Sequence, residues 1–287
     1  MKNLLTSAIA VILLVFSGKT QAQTKSPKLE NSLLWEVSGN GLAKPSYLYG
    51  TVHMICAGDF FLTEKTKKAF ASSEKLVLEV NLADPKELSD MQKMAMGKEP
   101  LSKKLTPTQL ADLDKILKTT TGMSVQQVDS FTLMTVMSLI SVKTFGCTDL
   151  KFYEMSFIEM AKSRNIETVG LETIKSQLES VDKAFSDDEM IASLAEYNTN
   201  ETTKLVTNYK SENLGELFKG ITDEKYMNAK ARKYMLDNRN ENWVTQLPEM
   251  MKKESVFVAV GAGHLGGELG LINLLRKAGY IVKPVMN

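Results

Sequence analysis

Histidine is scarce in this chain of 287 residues, which has two of them, along with two cysteines and two tryptophans. So few histidines argue against a histidine-rich surface that carries haem or metal. Excess charge is also lacking. Thirty-five Lys and Arg face 34 Asp and Glu, which does not suggest the concentrated positive charge that nucleic-acid binding rests on. No apolar run reaches the roughly 20 residues a membrane-spanning helix requires. The sequence has no Gly-x-Ser-x-Gly elbow and no His-Glu-x-x-His pair, so two common hydrolase arrangements drop out. No repeat period, low-complexity tract or long linker is evident.

The first residues have the layout of an export signal. MKNLL supplies a positive start, TSAIAVILLVF an apolar stretch and TQA a small-residue cleavage site, so a signal peptide over 1–22 is expected, cut near Ala22. No cysteine follows it, which argues against a lipoprotein anchor. Cleavage leaves 265 residues with a net charge of about −1. That length can bury a sizeable core, and we expect one α/β domain over 23–287, periplasmic or extracellular. In an oxidising compartment an even pair of cysteines tends to be bridged, which would join Cys56 to Cys147. The competing readings make Cys56, three residues beyond His53, a soft metal ligand, or leave the thiol free.

LLWEVSG (33–39) and SYLYGTVH (46–53) are aromatic and β-branched and flank an Asn-Gly turn signal, which predicts a hairpin with a longer loop. KLVLEVNL (75–82) is a continuous apolar run of the kind a buried strand shows. The middle is helical. Thr106-Pro107 with Gln109 marks one helix start, and Ser124 with Gln127 repeats the capping pattern before a methionine-bearing run that we read as a core helix. IETVGLET (166–173) predicts another strand, and long helical patterns fill about 187–251. The C-terminus returns to strand, helix, strand. The sum is an α/β fold, with a central mixed but largely parallel sheet built from both ends of the chain and a helical insertion between them.

Both histidines occupy the same frame, Gly-x-x-His, at Gly50 to His53 and Gly261 to His264. Each follows a predicted strand. Glu79 lies near the end of a third strand and Glu172 at the end of a fourth. In open α/β sheets ligands collect beyond the carboxyl ends of the strands, so neighbouring parallel strands would bring these four side chains to one rim. Two imidazoles and two carboxylates suit a divalent metal such as Zn, Mn or Co, which would lower the pKa of a bound water. One carboxylate could instead be the general base, and Glu172 could simply begin a helix. The two glycines would bend the strand ends or admit close backbone approach. GAGHLG also fits Gly-x-Gly-x-x-Gly, but no acidic residue stands about 20 positions on, so a dinucleotide site is rejected. Arg239-Asn240, in RNENW, could clamp an anion or stabilise an oxyanion. By spacing alone it reads as a surface helix with a buried tryptophan.

The blocks LLWEVSGNGLAKPSYLYGTVHMI, LVLEVNL, VGLET, RNENW and VFVAVGAGHLGGELGLINLLRKAGYIVKPV resemble the TraB/GumN family, which includes the Tiki proteins. The likeness runs from about residue 33 to 285, with its specific motifs in the two terminal blocks and a loose middle. It implies an α/β fold related to erythromycin esterase-like and ChaN-like proteins. For Tiki-like members it implies a metal-dependent protease that uses the two Gly-x-x-His motifs and glutamate. Carried over by motif, the site residues are His53, Glu79, Glu172 and His264, and the resemblance adds Arg239 and Asn240.

The expectation is therefore an exported, metal-dependent hydrolase of peptides or small molecules. His53, Glu79 and His264 would hold the metal, Glu172 would be the base, and Arg239 with Asn240 would stabilise an oxyanion. The two glutamates are open to exchange. One alternative is a metal-independent, esterase-like hydrolase in which His53 and Glu79 activate water. Another is a non-enzymatic binder of haem, metal or polysaccharide precursors. Neither nucleic acid nor a membrane span is expected.

Overall fold

The computed structural model describes residues 29–286; the expected signal peptide lies outside them. Eight strands are present among them: β1 Leu34–Ser38, β2 Ser46–Thr51, β3 Met54–Cys56, β4 Lys75–Val80, β5 Leu150–Phe152, β6 Glu167–Glu172, β7 Val256–Gly261 and β8 Ile281–Pro284. Six form one sheet in the order β6-β4-β7-β2-β1-β8, and β3 pairs with β5 in a separate ribbon. β6, β4, β7 and β2 are mutually parallel, while β1 runs antiparallel to β2 and β8. The sheet is thus mixed and largely parallel, and it interleaves strands from both ends of the chain.

The pattern follows from burial. Every residue of β7 is buried, as are five of six in β4, because helices cover both faces of a parallel sheet and leave no side for polar residues. Tyr49, Phe70, Phe157 and Phe257 pack edge-on or stacked against one another over one face. A second apolar cluster gathers Leu101, Leu113, Leu117, Val136, Ile140 and Leu194 among the helices between β4 and β7.

The Thr106 capping box with Pro107 starts its helix as the sequence predicts. Ser124 and Gln127 also form a capping box, but on a single 3-10 turn, and the long helix begins only at Leu133, capped by Thr132. The intervening residues are taken up elsewhere. Leu101 N–H donates to Asp129 O at 2.8 Å, Gly97 N–H donates to Ser130 O at 2.9 Å, and Phe131 bridges Met96.

Cys56 and Cys147 form a disulfide. It closes the ribbon of β3 and β5, in which Met54 faces Phe152 and Cys56 faces Leu150.

Candidate functional site

Four adjacent parallel strands deliver the four predicted side chains to one rim. Glu172 ends β6, Glu79 stands one residue before the end of β4, His264 closes a short turn after β7, and His53 lies two residues beyond β2. Glu79 is the hub. The Gly261 N–H donates to its Oε1 at 2.7 Å. Its Oε2 accepts from Arg239 Nη2 at 2.5 Å and from Gln177 Nε2 at 3.0 Å. His264 Nε2 is 3.8 Å from Glu79 Oε1.

Gly50 and Gly261 both have ordinary negative φ, so their use is close approach and not bending. A Cβ on Gly261 would stand 3.1 Å from His53 Nε2 and 3.4 Å from Glu79 Oε1. One on Gly50 would stand 3.0 Å from Leu265 Cδ1 and 3.2 Å from Ala262 Cα. The bare Cα of Gly261 is therefore the floor on which imidazole and carboxylate meet. His53 itself has φ +59°, the left-handed region that non-glycine residues seldom occupy and that concentrates at functional sites. Tyr153 N–H, donating to His53 O at 2.8 Å, helps to hold it there.

Arg239 and Asn240 join this group. They open the Asn238–Lys253 helix, directly after a π-helical segment, Lys233–Asp237, a local widening frequent at functional sites. The Arg239 guanidinium donates through Nε and Nη2 to Glu172, through Nη2 to Glu79, and through Nη1 to Met235 O and His264 Nε2. Its five N–H groups are all engaged. Arginine accepts no hydrogen bond, so His264 Nε2 is the acceptor and its hydrogen sits on Nδ1, which donates to Asn240 Oδ1 at 2.7 Å. The Asn240 amide donates in turn to Leu269 O and His264 O. Trp243 packs against the His264 ring at 4.4 Å between centroids.

Protonation follows from these neighbours. Burial pushes His264 down to about 3; Glu79 opposes this in part, Arg239 and His53 add to it, and the ring is neutral. Burial would raise Glu79, but His264, Arg239, His53 and the Gly261 N–H reverse that and hold it well below the usual carboxylate range. With His264 uncharged at neutral pH, Arg239 and the protonated His53 are the positive charges that keep Glu79 ionised. Desolvation along the pocket opposes protonation of His53. Glu154, whose Oε1 lies 2.9 Å from Nδ1, together with Glu79 outweighs it and lifts the pKa to about 9. The His53 side chain is 59% accessible, so solvent screens both influences.

The chemistry of three donors suits a divalent metal. His264 offers a bare Nε2, Glu79 is ionised, and His53 points Nε2 inward and can give up its proton to an ion. In the arrangement the structure shows, Arg239 spans Glu79 and His264, and no three His, Cys, Asp or Glu side chains among the described residues gather closely enough to hold an ion.

Sequence reasoning missed Glu154 and Gln177, which contact His53 and Glu79 from helices. Neither sits in a motif or at the end of a predicted strand. The one available signal was an acidic residue in the first turn of a helix, which helix capping explains equally well.

Residues 33–284 match the TraB/PrgY/gumN family. The chain is similar to Metalloprotease TIKI1 of Danio rerio, 23% identical over 91% of this chain and 65% of the relative. It is similar also to Metalloprotease TIKI1 of Xenopus tropicalis, 22% identical over 98% of this chain and 68% of the relative. The alignment thus spans just under two thirds of the first relative's length. No solved structure matches significantly.

Proposed function

Because the chain belongs to the TraB/PrgY/gumN family, we propose that it is an exported metal-dependent hydrolase, acting on peptides. The observation that carries this reading is the convergence of His53 Nε2 and Glu79 Oε1 over Gly261, with the neutral His264 3.8 Å from the same carboxylate. The relatives named as metalloproteases supply the substrate class and the metal. Export is supported by the disulfide and by the signal-like start of the sequence. Among the described residues no helix is long and apolar enough to cross a membrane.

His53, Glu79 and His264 would hold the ion, of Mn, Co or Zn class, whose chemistry is to polarise a carbonyl and acidify water. His53 is the most exposed of the set and meets the substrate first. Glu79 is the ionised carboxylate at the floor of the pocket. Asn240, with both amide hydrogens on backbone carbonyls, fixes the His264 tautomer and is not placed as an oxyanion donor. Glu172, paired through both oxygens with Arg239, anchors the guanidinium.

Metal analysis and peptide-library cleavage by the wild type, His53→Ala and His264→Ala test this reading. About one equivalent of divalent metal and sequence-dependent cleavage in the wild type, both lost in the variants, is expected. Undiminished cleavage by His53→Ala would end the assignment. The full engagement of Arg239 favours one second reading, a metal-independent hydrolase in which His53 and Glu79 act on water directly. Activity that survives EDTA selects it.

A further inference from the structure

Glu154 stands outside every motif that assembles the rim. It lies in the first turn of the Tyr153–Arg164 helix, with a side chain only 14% accessible. Its Oε1 accepts from Thr51 Oγ1 at 2.7 Å and lies 2.9 Å from His53 Nδ1. We propose that Glu154 is the positioning residue for His53. It holds the ring by the Nδ1 hydrogen, so that Nε2, bare once the ring is neutral, faces Glu79 and the Cα of Gly261. The proposal rests on the reading of His53 as a site residue given above.

Three observations carry it. The Glu154 contact is the one hydrogen bond the His53 ring makes among the described residues, and the ring is largely exposed, so nothing else polar fixes its rotation. The arrangement also repeats the other Gly-x-x-His. His264 gives Nδ1 to the side-chain oxygen of Asn240 and turns Nε2 toward Glu79, and His53 gives Nδ1 to Glu154 and turns Nε2 toward the same carboxylate. Which ring nitrogen carries hydrogen is set by the bond the other makes, so both imidazoles present the same face by the same device.

The third observation is a brace. The segment bearing His53 and the helix bearing Glu154 are joined by the Tyr153 N–H to His53 O bond, the β3–β5 ribbon and the Cys56–Cys147 disulfide. These connections fix helix start and imidazole relative to each other, independently of the main sheet.

Imidazole nitrogen-15 spectra of the full chain test this directly, since it contains two histidines and gives two sets of signals. Recorded at alkaline pH, where both rings are neutral, wild-type His53 should be the Nδ1–H form. Glu154→Ala should shift it toward the Nε2–H form and leave His264 unchanged. Glu154→Gln keeps the shape and an acceptor oxygen, so it should retain part of the Nδ1–H form, and it carries the readout if the alanine variant does not fold. Turnover of a cleaved peptide should fall about 10- to 100-fold in Glu154→Ala, the usual cost of losing such a partner. It should fall less in Glu154→Gln, with KM changed by less than about twofold in both. A His53 that stays Nδ1–H in Glu154→Ala, or undiminished turnover there, overturns the proposal. The spectra need no substrate, so a wild type without peptidase activity would remove the proposed function and leave the tautomer measurement to decide this claim alone.

Discussion

The backbone N–H of Gly261 donates to Glu79 Oε1 at 2.7 Å, so the end of β7 grips the carboxylate at the end of β4. The same glycine leaves the space into which His53 Nε2 projects. One residue thus binds one partner through its amide and accommodates the other by having no side chain.

Gly261→Ala separates these two uses. Its φ of −53° suits alanine, so the backbone does not resist, and the amide bond to Glu79 is kept. The added methyl meets His53 Nε2 at 3.1 Å and Glu79 Oε1 at 3.4 Å. We expect turnover to fall between about 10- and 100-fold with little change in melting temperature. Thermal denaturation beside an activity assay checks it, and a collapse of stability would show that the glycine serves the backbone instead.

Arg239→Met should be severe for stability. Arg239 is 8% exposed and neutralises Glu79 and Glu172 together. Removing it leaves two buried carboxylates without their partner, at a cost of about 3–5 kcal/mol. Urea unfolding measures this, and a loss under about 1 kcal/mol would mean that water reaches the network.

The two histidines predict opposite pH effects. His264 is held down to about 3 in the folded protein, so the unfolded chain binds the extra proton between about 3 and the usual histidine value of about 6.5. Stability therefore falls as the pH drops through that window. His53, lifted to about 9, contributes stability that is present below about 6.5 and lost as the pH rises toward 9. Solvent weakens the second effect because the ring is exposed. Melting temperature against pH for the wild type, His264→Gln and His53→Gln should flatten the acid limb in the first variant and the alkaline limb in the second. A His264→Gln profile as steep as the wild type below pH 6 contradicts the assignment.

Cys56→Ser with Cys147→Ser opens a loop whose ends are 91 residues apart. The expected loss is about 2–5 kcal/mol, read by denaturant unfolding with and without reductant. The wild type under reductant should match the double variant.

The rim was legible because strand ends are legible. β4 and β7 read as apolar runs, the repeated Gly-x-x-His marked two of the four ends, and parallel neighbours bring carboxyl ends together. Arg239 was harder. By spacing it looked like one charge on a surface helix, and only the resemblance raised it, because its partners lie on β4, β6 and the turn after β7. Glu154 and Gln177 were invisible for the same reason: a helical residue's partner across the fold leaves no local period. The late start of the helix at Leu133 was also hidden, since residues 97–101 had already claimed the carbonyls of Asp129 and Ser130.

β7 pairs with β4 on one side and β2 on the other, and among the described residues no other strand joins those two halves. A chain growing from its N-terminus can make the β1–β2 hairpin and the β4–β6 pair, but the seam between them waits for residues 256–261. Every fragment that stops short of them is a sheet in two pieces with Glu79 and His53 unjoined, so the rim is closed only once β7 is in place. Folding is thereby tied to a strand distant in sequence from its two neighbours, with the slow, long-range closure that such ordering brings.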